Sequence, residues 1–164
     1  MTDPRMPMSG GVRTDSPEAR PEPCLFCDRT RHRILCESAN WYVRHDAYAA
    51  NPGHVELVTK RHVVSLFDLD GAESAELYGV LLYARRLLVA ELGAEPDGWT
   101  IGVNDGRAAG RSIDHLHVHL IPRWHGDVPD PRGGIRQCVP NCNPDAWAAA
   151  TPDALAVDHP KETP

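Results

Sequence analysis

The segment Asp114-His115-Leu116-His117-Val118-His119-Leu120-Ile121-Pro122-Arg123 constrains the fold more than any other stretch of this chain. Apolar and imidazole side chains alternate strictly, which is the period of a β-strand, where successive side chains point to opposite faces. Leu116, Val118 and Leu120 then form a buried face, and His115, His117 and His119 stand in a row on the other. Alternate residues on one face lie roughly 6.5–7 Å apart. Three imidazoles at that spacing have no packing motive. The strand is therefore expected over residues 114–121, closed by Pro122, in a sheet with one face buried and one face given to chemistry.

The rest of the chain supplies that sheet and its cover. Residues 41–45 and 54–59 read as strands, the second opened by the turn Asn51-Pro52-Gly53. A helix is expected over residues 71–92. Asp70 is a good N-cap, Glu73 completes a capping box, and Gly93 ends the helix. Leu77, Leu81, Ala84 and Leu88 recur at helical spacing, and their stripe faces either the core or a second copy of the chain. Residues 99–103 read as a further strand. Strands on either side of one long helix make an α+β body with a mainly antiparallel sheet. Residues 1–22, rich in Pro, Ser, Gly and charge, are read as a disordered tail. Residues 23–142 are the folded domain, and residues 143–164 a flexible tail on which Trp147 and Leu155 are the groups able to dock.

Charge narrows the partners. The 164-residue chain has a net charge of −6, which argues against a nucleic-acid polymer or a membrane surface as partner, since both want a basic face. No apolar run approaches the roughly 20 residues of a membrane helix, and no secretory h-region opens the chain, so a cytoplasmic location is expected. The five cysteines are an odd number, which weakens a disulfide framework. Residues 104–140 hold five Arg (107, 111, 123, 132, 136) against four Asp (105, 114, 127, 130). That locally positive stretch suits a phosphate ligand or is a solvated loop.

A row of imidazoles serves a metal or a nucleophile. Imidazole is the commonest metal ligand. A neutral ring can also attack phosphorus while its neighbours hold the phosphate oxygens. Upstream, Asn104-Asp105-Gly106-Arg107-Ala108-Ala109-Gly110-Arg111-Ser112 is a small-residue loop whose backbone N–H groups can approach an anion. Joined directly to the histidine strand, it favours phosphate chemistry. A catalytic metal held by all three histidines fits poorly, because the strand's twist makes the rings diverge and no nearby acid is placed as a base.

Gly110-Arg111-Ser112 followed by His115, His117, His119 and Pro122-Arg123 resembles the signature of the histidine triad (HIT) family. Residues 52–62, ending in Lys60-Arg61-His62, are similar to that family's second motif, and the resemblance runs from Cys24 to Pro140. It implies a HIT-like fold with a short N-terminal metal-clipped segment, and a homodimer paired through the helix and an edge strand. It also implies a nucleotidyl hydrolase or transferase without an organic cofactor, acting on an adenine or other purine nucleotide. The substrate would be a dinucleoside polyphosphate such as diadenosine tetraphosphate, or a nucleoside phosphoramidate. Carried over residue by residue, His117 is the nucleophile that becomes nucleotidyl-histidine. His119 contacts the phosphate and helps protonate the leaving group. Ser112 and the backbone at Gly110 bind phosphate oxygens, Asn104 lies near phosphate and ribose, Asp46 binds the ribose hydroxyls, and His54 stands behind the triad. The base is expected in an apolar slot beside Tyr42 or Val43.

Three departures from the family pattern stand out. Arg111 replaces a common Gln, and its charge would grip a longer anionic leaving group. Glu56 and Thr59 replace an apolar residue and a Pro, a change expected to be tolerable at a strand end. Residues 126–136 resemble an extension of bacterial members assigned as diadenosine tetraphosphate hydrolases.

Cys24-Leu25-Phe26-Cys27 is a C-x-x-C, which by itself fits half a zinc site, a redox pair or chance. The family resemblance offers His62 and His115 as the missing ligands of a structural zinc. Two thiolates and two neutral imidazoles would neutralise tetrahedral Zn²⁺ and leave no open position. A redox pair would want a helix N-terminus, which nothing here signals. Cys36 is expected as a buried thiol. Cys138 and Cys142 have a different spacing and are a weaker candidate for a second metal or disulfide site. The leading functional reading is the enzyme working through His117; the alternative is a nucleotide-binding module with little turnover that acts as a sensor or binds a partner.

Overall fold

The alternating segments pair into one antiparallel sheet. The computed structural model describes residues 24–138, so both expected tails, residue 23, residues 139–142, Trp147 and Leu155 lie outside the described residues. The strands are β1 (Ile34–Glu37), β2 (Trp41–His45), β3 (Val55–Thr59), β4 (Gly98–Gly102) and β5 (His117–Arg123), in the order β1-β2-β3-β5-β4. Every neighbouring pair is antiparallel. β3 and β5 are inner strands, each bonded on both sides. Their register sets Glu56 opposite His119 and Val58 opposite His117, and on the other side of β3 it sets Arg44 opposite Glu56.

The helix α1 (Gly71–Leu92) forms as its caps dictate. The Asp70 carboxylate accepts from the Glu73 N–H, and the Glu73 carboxylate accepts from the Asp70 N–H. Gly93 closes the helix in the left-handed region at φ +69°. Val80, Ala84 and Leu88 are buried against Trp41, Val43, Val55, Leu57, Leu116, Val118 and Leu120, with Leu77 and Leu81 partly buried beside them. The helical stripe therefore faces the core. Trp41 reinforces the joint, its indole N–H donating to the Glu73 carbonyl at 3.0 Å. On the opposite face of the sheet, Phe26, Tyr42 and Val58 make a second small apolar cluster.

Several boundaries differ from expectation. β5 begins at His117, because the Leu116 N–H donates instead to Val63, in the segment after β3. The alternation survives the break: Leu116 joins the core and His115 faces the other way. Pro122 lies inside β5, opposite Trp99, rather than beyond its end. β1 was not foreseen; it is a short edge strand with a register shift between Ile34 and Cys36, and it carries no clean alternation. Cys36 is half-buried at that edge rather than buried. Thr59 ends β3 as expected, whereas Glu56 lies inside it, paired on both sides. β3 is an inner strand, so both are buried, Glu56 at 5% and Thr59 at 0% exposure. The turn before β3 depends on Gly53 at φ +84°, where a Cβ would meet Leu92 and Pro122 side chains at 3.1 and 3.2 Å.

Removing the helix cap in Asp70→Ala is expected to lower stability by about 1 kcal/mol, read as a lower urea midpoint at unchanged slope. An unchanged midpoint would show that the cap contributes nothing here.

Candidate active site

The inner strands hold His117, His119 and Glu56 on the face away from α1. His117 is buried, and its Nδ1–H donates to the His115 carbonyl at 2.8 Å, which leaves the ring's lone pair on Nε2. Phe26 packs edge-on against the ring, centroids 5.2 Å apart. The His119 ring meets His117 edge-on at 5.0 Å. Its tautomer follows from a chain of hydrogen bonds. The Ala50 N–H donates to His54 Nδ1 at 3.1 Å, so neutral His54 carries its proton on Nε2 and donates it to His119 Nδ1 at 3.0 Å. Neutral His119 therefore carries its own proton on Nε2. One ring offers a lone pair and its neighbour an N–H.

Burial sets the charge of this face. It pushes the His54 and His117 rings below the ordinary imidazole range, and His115 and His119 down to about 4. All four are neutral at pH 7, the form in which an imidazole can act as a nucleophile. Glu56 goes the other way. Burial, with Asp46 nearby, pushes its carboxyl up to about 7 against the pull of Arg44.

The remaining expected ligand-binding residues frame the triad. Asp46 follows β2, with Oδ1 accepting the Tyr48 N–H at 2.8 Å and Oδ2 lying 3.4 Å from His54 Nδ1. Asn104 and Ser112 are exposed on the loop between β4 and β5, and Gly110 turns that loop at φ +91°. Arg111 is held in place: it donates to the Val64 carbonyl and to Asp114, and faces Asp105 at 3.5 Å. To grip a leaving group it must exchange these partners. The positive stretch expected from charge counting is largely cancelled, because Arg107 pairs with Asp114, Arg111 with Asp105, Arg123 with Asp127 and Arg132 with Asp130. Nor do Tyr42 and Val43 line an open slot for a base. Val43 faces the helix, and Tyr42 is fully buried with its hydroxyl donating to the Phe26 carbonyl at 2.7 Å.

The structure brings the four expected metal ligands together. The ligand atoms of Cys24, Cys27, His62 and His115 lie within 4.8 Å of one another, close enough to hold a metal ion. Cys24 Sγ is 3.3 Å from His115 Nδ1, Cys27 Sγ is 3.3 Å from His62 Nδ1, and Cys27 Sγ is 3.7 Å from His115 Nδ1. Tetrahedral zinc with ordinary bond lengths separates S and N ligand atoms by about 3.5–3.6 Å, so the residues fit that ion. The His115 Nε2–H donates to the Thr59 carbonyl at 2.8 Å, which turns its Nδ1 lone pair towards the thiols.

The architecture is matched by known proteins. A family model for the HIT domain matches residues 29–126, more than half of the chain. The chain belongs to the HIT domain family. The AP-4-A phosphorylase of Mycobacterium tuberculosis is 44% identical over 82 residues, which is 49% of this chain and 41% of that protein. The bis(5'-adenosyl)-triphosphatase of Dictyostelium discoideum is 40% identical over 73 residues, 44% of this chain and 47% of that protein. The match thus spans less than half the length of these curated relatives. Among solved structures, a HIT family member from Bacillus subtilis superposes with a TM-score of 0.61 over 82% of this chain and 90% of that one, at 23% identity, which is a likeness of fold. A hypothetical histidine triad nucleotide-binding protein from Sulfolobus tokodaii gives a TM-score of 0.58 and 32% identity over 65% of this chain and 73% of that one. No helix among the described residues is long and apolar enough to cross a membrane.

Within this HIT domain, three side chains of the imidazole face escaped sequence reasoning: Phe26, Arg44 and Glu56. A signal for the last two existed. Each puts a charge among the apolar residues of its strand, and their charges are opposite.

The ligand cluster makes the metal testable apart from any activity. Cys24→Ser with Cys27→Ser is expected to lower bound metal from one ion per chain to none, and to lower the thermal midpoint by several degrees. Elemental analysis and a melting curve check this; retained metal in the double variant would show that the ligands are other residues.

Proposed function

We propose that this HIT protein is a nucleotidyl hydrolase or transferase that works through a covalent intermediate on His117. The observation that carries the reading is the pairing of a neutral ring whose lone pair is on Nε2 with a neighbour, His119, whose network puts a proton on Nε2. In the first step the His117 Nε2 lone pair forms a bond to the α-phosphorus and the bond from phosphorus to the leaving group breaks. His119, neutral at rest, takes up a proton beside the bound anionic substrate and gives a proton to the departing atom. In the second step water attacks phosphorus, the P–N bond breaks, the electron pair returns to His117, and His119 takes the water's proton. Ser112 and the N–H groups around Gly110 hold the non-bridging oxygens, Asp46 takes the ribose hydroxyls, and Asn104 and Arg111 contact the phosphate chain. The AP-4-A phosphorylase and bis(5'-adenosyl)-triphosphatase relatives support a dinucleoside polyphosphate as substrate.

Cys24, Cys27, His62 and His115 hold a structural zinc in this proposal. Filled by four protein ligands, it supplies cross-linking rather than chemistry: it ties the N-terminal segment to the end of β3 and the start of β5. His115, through its carbonyl, also orients the His117 ring.

A homodimer through α1 and the edge strand β4 completes the reading, supported by Ile101 at 49% and Tyr78 at 69% exposure. Light scattering is expected to give twice the 18.1 kDa chain mass, and Ile101→Asp the single mass. A single mass for the unaltered chain would remove the dimer.

Intact-protein mass spectrometry after brief incubation with diadenosine tetraphosphate and with an adenosine phosphoramidate tests the chemistry. A nucleotidyl adduct or released AMP is expected from the unaltered protein and from neither reaction of His117→Ala. Nucleotide binding with no adduct and no AMP would make the protein a binding module.

A further inference from the structure

Arg44 and Glu56 are two buried charges on the imidazole face that the reaction above leaves unused. They face each other across β2 and β3 on the imidazole side, exposed by 7% and 5%. Arg44 lies over the Phe26 ring, 5.1 Å from its centroid, and its Nη1 holds Glu56 Oε2 at 2.5 Å. The Arg44 Nε–H is buried without a partner. The second carboxylate oxygen, Oε1, is 3.9 Å from His117 Nε2 and 3.9 Å from His119 Nδ1. An ion pair buried for stability alone is poorly motivated, since apolar replacements of the same volume often serve as well. This one directs a carboxylate oxygen at both rings of the reaction.

We propose that Glu56 is a positioning residue for nucleotidyl transfer: its Oε1, aimed by Arg44, is the shared counter-charge for a positive charge that passes between His119 and His117. The proposal rests on the reading of His117 as nucleophile. Once His119 has taken up a proton beside the bound anionic substrate, the charge before attack sits on His119. When the P–N bond forms and His119 gives up its proton to the leaving group, the charge sits on the nucleotidyl-imidazolium of His117. When water cleaves the P–N bond and leaves its proton on His119, the charge returns. One carboxylate oxygen at equal distance from the two nitrogens favours neither holder, so the charge moves at little electrostatic cost. Arg44 does not cancel the effect, because it engages Oε2 while Oε1 is the oxygen nearest the rings. The same three side chains also have the composition of a cation site. However, the His119 Nδ1 lone pair is already taken by His54, which leaves an ion short of a ligand.

Glu56 changes charge in the range where the reaction would run, since its carboxyl sits up at about 7. The charged and titratable groups facing it are Arg44 and Tyr42 from β2, Asp46 from the loop after β2, His54 from the turn before β3, and His117 and His119 from β5. Arg111, on the loop before β5, bears on His117. β4 contributes none, because Gly102 stands opposite His119.

The test measures AMP release from diadenosine tetraphosphate and from an adenosine phosphoramidate across pH, on the full chain. Glu56→Gln is expected to lower kcat by about 10- to 100-fold with KM within about threefold. The unaltered enzyme should lose rate as pH falls through about 7, where Glu56 takes up a proton, and Glu56→Gln should lack that limb. Arg44→Met with Glu56→Leu removes the pair without stranding a buried charge, and decides the matter if the single variant does not fold. It too should lose kcat and the limb while melting normally. A kcat within about twofold of the unaltered enzyme, or a lowered kcat with the acid limb unmoved, overturns the role of Glu56. AMP release from His117→Ala, or no AMP and no adduct from the unaltered protein, overturns the nucleophile reading instead, and the role of Glu56 with it.

Discussion

A β-strand has two faces and no third, and the site of this protein depends on how one strand divides them. Leu116, Val118 and Leu120 anchor the segment to the core beneath α1, and this alone decides where His115, His117 and His119 point. A slip of one residue in the β3–β5 register would exchange the faces and bury the imidazoles against the helix. The core therefore does more than stabilise the chain. Each leucine or valine that packs under α1 fixes the direction of the histidine beside it.

The same division lets one row do two jobs. His115 lies before the regular part of β5, where the backbone leaves its partner strand, and its ring turns towards the two thiols. His117 and His119 lie inside the strand, where pairing with β3 and β4 holds their spacing. The jobs are joined through the backbone. The His115 ring belongs to the ligand cluster, while its carbonyl accepts the His117 Nδ1–H and so selects the tautomer with its lone pair on Nε2. A cross-link at the cluster would thus stiffen the atom that orients the His117 ring, in addition to closing long loops.

Much of this was legible in the sequence, for physical reasons that differ by element. The helix bounds were readable because capping is local: Asp70, Glu73 and Gly93 carry the signals within one turn of the ends they define. The histidine face was readable because alternation is local too. What escaped depends on partners distant in sequence. β1 exists because β2 offers it an edge, and its own residues say little. Glu56 looks harmless until β3 is known to be an inner strand and Arg44 to lie across from it. The positive stretch is largely cancelled likewise, and counting charges cannot show that four of the arginines there lie against the aspartates of the same segment. Composition gives a sum, whereas the potential at a site depends on pairing.

Two buried glutamates show how pairing separates structure from chemistry. Glu73 is 2% exposed, and both its oxygens are consumed: Oε1 accepts from Arg61 Nε, while Oε2 accepts from Arg61 Nη2 and the Asp70 N–H. Those bonds hold its carboxyl below the ordinary range, so it remains a fixed anion joining the helix start to the segment after β3. Glu56 is nearly as buried but has one ionic partner at hydrogen-bond distance, and desolvation outweighs that partner. A carboxylate placed for stability would be expected to look like Glu73, fully bonded with its proton affinity lowered. Glu56 keeps a raised proton affinity and an oxygen directed at two imidazoles, which is the arrangement of a group whose charge matters to its neighbours more than to the fold.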